Sequence, residues 1–340
     1  MDNLFFKEEH KMIQNMVCDF AKSEIRPLAK ELDKNGSFPR RIVEKMGQIG
    51  LMGINIPAKY GGSDLDTVAY LTAIIELAKV DASVAITMAS HSSLGTLPLL
   101  LFGNERLKQK YLPKIASGEM LSALALIEPH GGSDIELIKT IATKVGEKYI
   151  VNGEKTFVTN AGEAGFLSFT SRVVEKDSDK GIGVFIVSTD IKGLRIGEKE
   201  NKMGWRASDT RSVYFENMEV DFSSMLYFSK NGINKFLESL TLGRLSIGAL
   251  SVGTAKAAYQ KAMEYSNDRI AFNKPINHFQ SISFKLADMA TKIEASELLV
   301  YHAAWLKDKG ENFIKEAAMA KLFAGKAAVG ITREAIQIYG

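Results

Sequence analysis

The run EKYIVNGEKTFVTN, Glu147 to Asn160, decides the fold class. Two β-rich stretches flank Asn152-Gly153, a pair in which both residues tolerate positive φ, so a hairpin is predicted there. Two further β-rich runs follow, GIGVFIVST from Gly181 and RSVYFENMEV from Arg211. From about Leu121 to Val220 the apolar period is therefore two. Several short strands with no helical insert predict an antiparallel barrel or sandwich.

Outside this region the period is helical. Ile13, Met16, Val17 and Phe20 recur at three- and four-residue steps, the face of an amphipathic helix. NGSFPRRIVEKM offers a break and a restart with Pro39 at the new first turn. The stretch from Asp64 to Ser93 is apolar enough to be buried on most sides. GNERLKQKYLPKIASGE reads as a short helix, a proline interruption and a closing Gly118. From about Asn231 the helical period returns through Ile282, Leu286, Met289, Ile293 and Val300, which implies an antiparallel bundle. The expected fold is α+β, with a helical domain over 1–120, a β-barrel over 121–225 and an incomplete helical bundle over 226–340.

Composition narrows the function classes. A chain of 340 residues, 46% hydrophobic, can bury a large core. With 43 basic and 40 acidic residues, the net charge of +3 gives no electrostatic footprint for nucleic acid or a membrane surface. Cys18 is the single cysteine, which suits a reducing, cytoplasmic setting. The opening MDNLFFKEEHKM carries charges where a secretory signal needs an apolar run. No window is read as approaching the roughly 20 apolar residues of a membrane span. No Gly-rich phosphate loop, Gly-x-Ser-x-Gly elbow or ligand-spaced histidine set is present, so no metal is expected.

What remains is ALIEPHGGSD, Ala125 to Asp134, and KTFVTNAGEAG from Lys155. Glycines let a backbone approach a ligand closely, and Ser133 offers a hydroxyl beside exposed amides. Taken singly, the first is also a Gly-rich turn, and Thr159 in the second a strand-end threonine bonding its own backbone. Together with KYGGSD, GNERLKQKYLPKIASGE, KMGWRASDTRSVYFENMEV, GRLSIGAL, DRIAFNKPINHFQSISFKLADMA and EAAMAKLFAGKAA, they form a sequence that resembles the acyl-CoA dehydrogenase family along nearly its whole length. Gly243-Arg244 looks most like the short-chain (butyryl-type) branch, whereas GWRASDTR leans toward the medium-chain one.

The resemblance implies an FAD enzyme that desaturates an acyl-CoA thioester, passes electrons to an electron-transfer flavoprotein and assembles as a homotetramer. Its chemistry needs a carboxylate to take the α-proton, with hydride leaving the β-carbon for flavin N5. By the same resemblance Leu124, Leu126, Ile127, Gly132 and Ser133 line the flavin, with Ser133 also touching pantetheine. Phe157, Val158 and Thr159 lie against its ring. Arg269, Phe272 and Gln280 serve the FAD of a neighbouring subunit, while Gln337 and Gly340 begin a further flavin segment. Thr241, Gly243 and Arg244 meet the substrate, and Arg244 supports the catalytic carboxylate. On the residues alone, Arg269 and Arg244 are equally ordinary surface arginines.

The sequence departs from the family at Ile127 (usually Thr), Phe157 (often Trp), Thr241 (often Asp), Asn273 (commonly Gly) and His130 (usually small). No base is assigned within this chain. One family position falls on Gly243, and Glu238 lies about 140° away on a continuous helix. The other falls in a loop beyond Gly340. The end of the chain reads either as an ordinary C-terminal cap or, as favoured here, as a cut through a functional segment. Alternatives are a dehydrogenase acting on a carrier-protein-bound acyl group and a catalytically silent acyl-CoA- or flavin-binding protein.

Overall fold

The computed structural model describes residues 5–340; the first four residues of the charged opening lie outside it. Helices α1 (Glu8–Phe20), α2 (Arg26–Asn35), α3 (Arg40–Gln48), α4 (Thr67–Ala78), α5 (Ala82–Ser90), α6 (Leu97–Phe102) and α7 (Glu105–Ala116) come first. Strands β1 (Leu121–Ala125), β2 (Ile141–Val145), β3 (Lys148–Thr159), β4 (Ala164–Glu175), β5 (Ser178–Ser188), β6 (Leu194–Lys199), β7 (Thr210–Asp221) and β8 (Met225–Ser229) follow. Then come α8 (Asn234–Ser239), α9 (Thr241–Asp268), a small hairpin of β9 (Ile270–Ala271) and β10 (Lys274–Pro275), α10 (Gln280–Asp308) and α11 (Ile314–Tyr339). The helical, β, helical order is the expected one. By contacts the chain groups into two compact units, one of Met1–Glu31, Leu65–Ile86 and Thr241–Gly340, the other of Leu32–Asp64 and Thr87–Leu240.

In the second unit, eight strands form one sheet in the order β6-β7-β3-β2-β4-β5-β8, with β1 added beside β4. It is mixed rather than purely antiparallel, because both β1 and β2 pair with β4 in parallel. β1 covers β4 from Ala164 to Phe169, and β2 covers it from Arg172 to Val174. Between the two pairings, at Thr170 and Ser171, the 126–140 loop leaves the sheet. The core against this sheet is aromatic, with Phe169 stacked on Phe185 at 5.4 Å and tilted against Phe215 at 4.6 Å.

The hairpin expected at Asn152-Gly153 is not there. The chain turns at Gly146 (φ 59°) between β2 and β3, and β3 runs unbroken through Asn152-Gly153. The pair instead makes a register shift against β7. Asn152 Oδ1 accepts the Asn217 N–H at 2.8 Å, and Gly153 (φ 152°) packs where a Cβ would lie 2.5 Å from Thr140 Oγ1. Glycine is there for a close approach inside a strand, not for a turn.

Two other expectations change. Pro113 sits inside α7, close enough to its end that few backbone bonds are lost. The run Ala82–Phe102 is, among the described residues, a helical stretch long and apolar enough to cross a membrane, and 78% of its apolar window is buried in the fold. Ser92, Ser93 and Gly95 interrupt that run in the sequence, but a π-helical turn over His91–Thr96 carries the helix through them.

In the first unit, α4 is buried along its whole length. Tyr70 and Ser246 hydroxyls meet at 2.9 Å, and Thr72 and Tyr301 at 3.1 Å. Asp66 caps the start of α4 by accepting the Ala69 N–H, while the distant Asp308 accepts those of Thr67 and Val68. Leu286, Met289 and Ile293 fill the bundle core against Ile331, Ala335 and Ile338. A Gly153→Ala substitution is expected to cost about 1–3 kcal/mol through overpacking against Thr140, seen as a lower urea midpoint at unchanged slope.

Candidate active site

The site is organised by a buried charge. Lys155 is fully buried on β3, where its ammonium donates to Glu128 Oε1 at 2.7 Å, Thr170 Oγ1 at 2.9 Å and the Leu126 carbonyl at 3.3 Å. Glu128, also buried, accepts the backbone N–H groups of Lys139 at 2.8 Å and Thr140 at 3.1 Å. Burial pulls the Lys155 ammonium down to about 8 despite its partner. Burial pushes the Glu128 carboxyl upward, but Lys155 and the loop donors outweigh it and leave it below the usual range. The two shifts do not mirror one another. Burial dominates the ammonium, whereas the carboxylate gains the amides as well.

The end of β3 is strained. The strand slips against β7 between Lys155 and Val158, and Phe157 takes φ 55° and is 65% exposed. A phenylalanine in the left-handed region is a true outlier, of the sort that collects at ligand sites. Thr159 beside it is half-buried and pairs with Thr210. The Val158 side chain is fully buried in the barrel core, so it offers a ligand only backbone. Buried Asp209 braces the next residues by accepting the Gly162 N–H at 2.7 Å and Arg211 Nε at 2.7 Å, while its carbonyl takes the Asn160 N–H at 2.9 Å.

The loop after β1 faces this strand. Thr156 N–H donates to the Ile127 carbonyl at 2.8 Å, so the two segments singled out in sequence are joined by a backbone bond. Leu124, Leu126 and Ile127 are half-buried, and Gly132 and Ser133 are exposed. Space is open at Gly132, where an added Cβ would meet nothing nearer than Ile127 Cγ2 at 3.9 Å. His130 Nε2 bonds the Leu137 carbonyl at 3.0 Å and lies 3.5 Å from Glu128. An exposed aromatic held in strain, a half-buried hydroxyl and an open glycine bend fit a planar, hydrogen-bonding ring. Lys155, Glu128, Asp209 and Arg211 were not singled out from sequence. A lysine and an acid 27 positions apart carry no local signal.

In the other unit, Thr241 is buried at the start of α9, and Arg244, exposed one turn on, donates to Thr241 Oγ1 at 3.2 Å. The helix is not continuous with Glu238, which is exposed on α8, so the angular argument from a single helix lapses. Arg269, Phe272 and Gln280 lie around the β9–β10 hairpin, all exposed. Phe272 (φ 52°) and Asn273 (φ 60°) form its turn, and asparagine tolerates the conformation better than most residues. Phe272 is 89% exposed. Gln337 and Gly340 are exposed at the end of α11.

Among the described residues, Glu9, His10 and Asp66 place three possible metal ligands within 4.8 Å. His10 Nδ1 accepts the Lys7 N–H at 3.1 Å, so Nε2 carries the proton and donates to Asp66 at 3.0 Å. The Lys7 ammonium stands 3.0 Å from Glu9 and 3.4 Å from Asp66. The trio is a helix-capping cluster with its own cation. Elsewhere His91 is fully buried, accepting the Ser122 N–H at Nδ1, and burial pushes its imidazole down to about 4.

The chain matches the N-terminal, middle and C-terminal domains of acyl-CoA dehydrogenase over residues 7–119, 123–218 and 230–340. Together with the helical, β, helical architecture, this places the chain in the acyl-CoA dehydrogenase family of oxidoreductases. It is 44% identical to an acyl-CoA dehydrogenase of Bacillus subtilis (strain 168), over 98% of this chain and 88% of that protein. Among solved structures it is similar to butyryl-CoA dehydrogenase from Megasphaera elsdenii, with TM-score 0.95, 37% identity, and 100% and 90% of the two chains covered. It is also similar to a chain in a structure of an electron transferring flavoprotein of Acidaminococcus fermentans, with TM-score 0.95, 40% identity, and 99% and 89% covered.

Phe157→Gly is expected to leave stability within about 1 kcal/mol, since relieved strain offsets the added unfolded-chain entropy. A loss of about 3 kcal/mol, typical of truncating a core phenylalanine, would contradict the strain. For His91 the folded pKa lies below the unfolded one, so the unfolded chain binds the extra proton between about pH 6.5 and 4. Stability is therefore lost as pH falls through that window, by about 3 kcal/mol at most. His91→Gln should flatten this limb in denaturation midpoints measured at pH 7 and 4.5.

Proposed function

We propose that the protein is an FAD-dependent dehydrogenase that introduces an α,β double bond into a short- or medium-chain acyl-CoA and passes the electrons to an electron-transfer flavoprotein. The observation that carries this reading is the exposed, strained Phe157 near Thr159, on a strand that the Thr156–Ile127 bond joins to the loop bearing Gly132 and Ser133. FAD, when bound, would supply the acceptor for the hydride leaving the β-carbon. Thr159 would orient the ring through its hydroxyl, Phe157 would wall it, and Leu124, Leu126 and Ile127 would keep water from its other side. With Ile127 in place of a threonine, the hydrogen bonds there fall to backbone groups.

Ser133, Thr241 and Gly243 are assigned to the thioester arm. Arg244, fixed through Thr241, is assigned to hold a carboxylate near the α-carbon. The resemblance puts the proton-abstracting carboxylate beyond Gly340, and no residue within 1–340 is given that role. A homotetramer is proposed on the apolar groups that the first unit exposes, Ile270, Phe272 and Phe284, with Leu322, Val329 and Ile336 along α11. Cytoplasmic placement is proposed on the single cysteine.

The test is dye reduction with butyryl-CoA and octanoyl-CoA, together with bleaching of the bound flavin by each thioester. A polypeptide ending at Gly340 is expected to bind FAD yet turn over about 10²–10⁴-fold more slowly than one that continues through a loop bearing a carboxylate, the usual contribution of a positioned base. Equal turnover by both lengths would place the base inside the chain.

A further inference from the structure

We infer that Glu128 and Lys155 are positioning residues for the cofactor, fixing the glycine loop and the Phe157–Thr159 strand end in the one relative arrangement that a flavin ring can enter. The inference rests on the flavin reading under Proposed function. Three features of the structure carry it.

The pair is badly placed to be explained by stability alone. Both side chains are buried, Lys155 completely. Removing two charges from water costs about as much as their attraction returns, and apolar groups of the same size serve a core equally well. A core already filled by Phe169, Phe185, Phe215 and Val158 does not need an ammonium beside it.

The pair's contacts are also selective. Glu128 holds both sides of the neck of the 128–140 loop, because it stands at one side and accepts the N–H groups of Lys139 and Thr140 at the other. Within the loop the bonds are local: Gly131 N–H to the Glu128 carbonyl, Leu137 N–H to Asp134 and Ile138 N–H to Glu136. His130 adds its bond to Leu137. Glu128 is thus the post from which Gly132 and Ser133 hang. Lys155 ties that post to β3 only two residues before Phe157, and it reaches Thr170 where β4 passes from β1 to β2.

Finally, pairing with β7 lapses at the two residues next to the loop. The ladder slips after Lys155 and resumes only at Val158–Arg211 and Thr159–Thr210, so Thr156 and Phe157 take their position from the loop side as well as from β7. The Thr156–Ile127 backbone bond and the ion pair beside it hold the near side of the loop, while Arg172 on β4 donates to the Glu136 and Ile138 carbonyls on its far limb. With the near side held by the backbone bond alone, Ser133 and Thr159 would sample more arrangements, and a ligand would bear the ordering cost.

The experiment replaces the pair by a neutral one, Glu128→Gln with Lys155→Met, so that no lone charge is buried and the glutamine oxygen still accepts one of the two loop-neck N–H groups. Wild type and variant are stripped of flavin, their thermal midpoints are compared, and FAD is titrated back by fluorescence quenching. The expected result is a midpoint within a few degrees of wild type and an FAD Kd raised at least about tenfold, with a weaker quench of the bound flavin. A variant that melts like wild type and binds FAD as tightly overturns the inference while leaving the flavin reading intact. Wild-type protein that binds no FAD sinks both. If the double variant does not fold, Thr170→Val decides. It removes one Lys155 acceptor and keeps the shape, so FAD affinity should fall severalfold at an unchanged midpoint, and unchanged affinity rejects the role.

Discussion

The sheet of the second unit contains a split, and one ammonium fills it. β4 is covered by β1 along one stretch and by β2 along the next, and a loop has to leave where the two covers meet. Any such departure strips backbone groups of ladder partners inside a buried wall, where each unpaired group is costly. Lys155 answers with three donors aimed at a carbonyl, a hydroxyl and a carboxylate. Glu128 passes the remaining capacity on to two amides on the far side of the loop. Arg172 holds the far limb of the loop through the Glu136 and Ile138 carbonyls, so the buried pair is what ties the near limb to β3.

The helical unit solves a similar difficulty by different means. The buried start of α4 leaves N–H groups that solvent cannot reach, and two carboxylates supplied from outside the helix accept them. One of these, Asp66, is itself held by His10, and its carboxyl is kept low by the amide and the imidazole against the pull of burial. In both units a buried backbone end is satisfied by an acid brought from elsewhere in the chain.

The sequence made the period-two and period-3.6 regions plain, because alternation along Tyr149 to Val158 and the four-three-four steps from Ile282 to Ile293 report which face is buried. Asn152-Gly153 misled because its turn preference is real but local, while Thr140, packed against Gly153 from outside its strand, decides the outcome. The break between α8 and α9 at Leu240 has no glycine or proline to announce it. For the candidate site, the motif residues Ser133 and Thr159 were legible as polar groups beside glycines and strand ends. Their supports were not. Glu128 and Lys155, like Asp209 and Arg211, read as ordinary charges until the strands bring them together, and the strain at Phe157 depends on a register slip that propensity does not encode.

The π-helical turns over Ala21–Ile25 and His91–Thr96 have a consequence for how this chain tolerates changes in length. Each accommodates one residue more than an α-helix would over the same span, without disturbing the phase of the helix on either side. Loss of a single residue within either turn would restore ordinary winding and leave the flanking side chains on their present faces. The same deletion two turns away would rotate everything downstream by roughly 100° and carry its buried face into water.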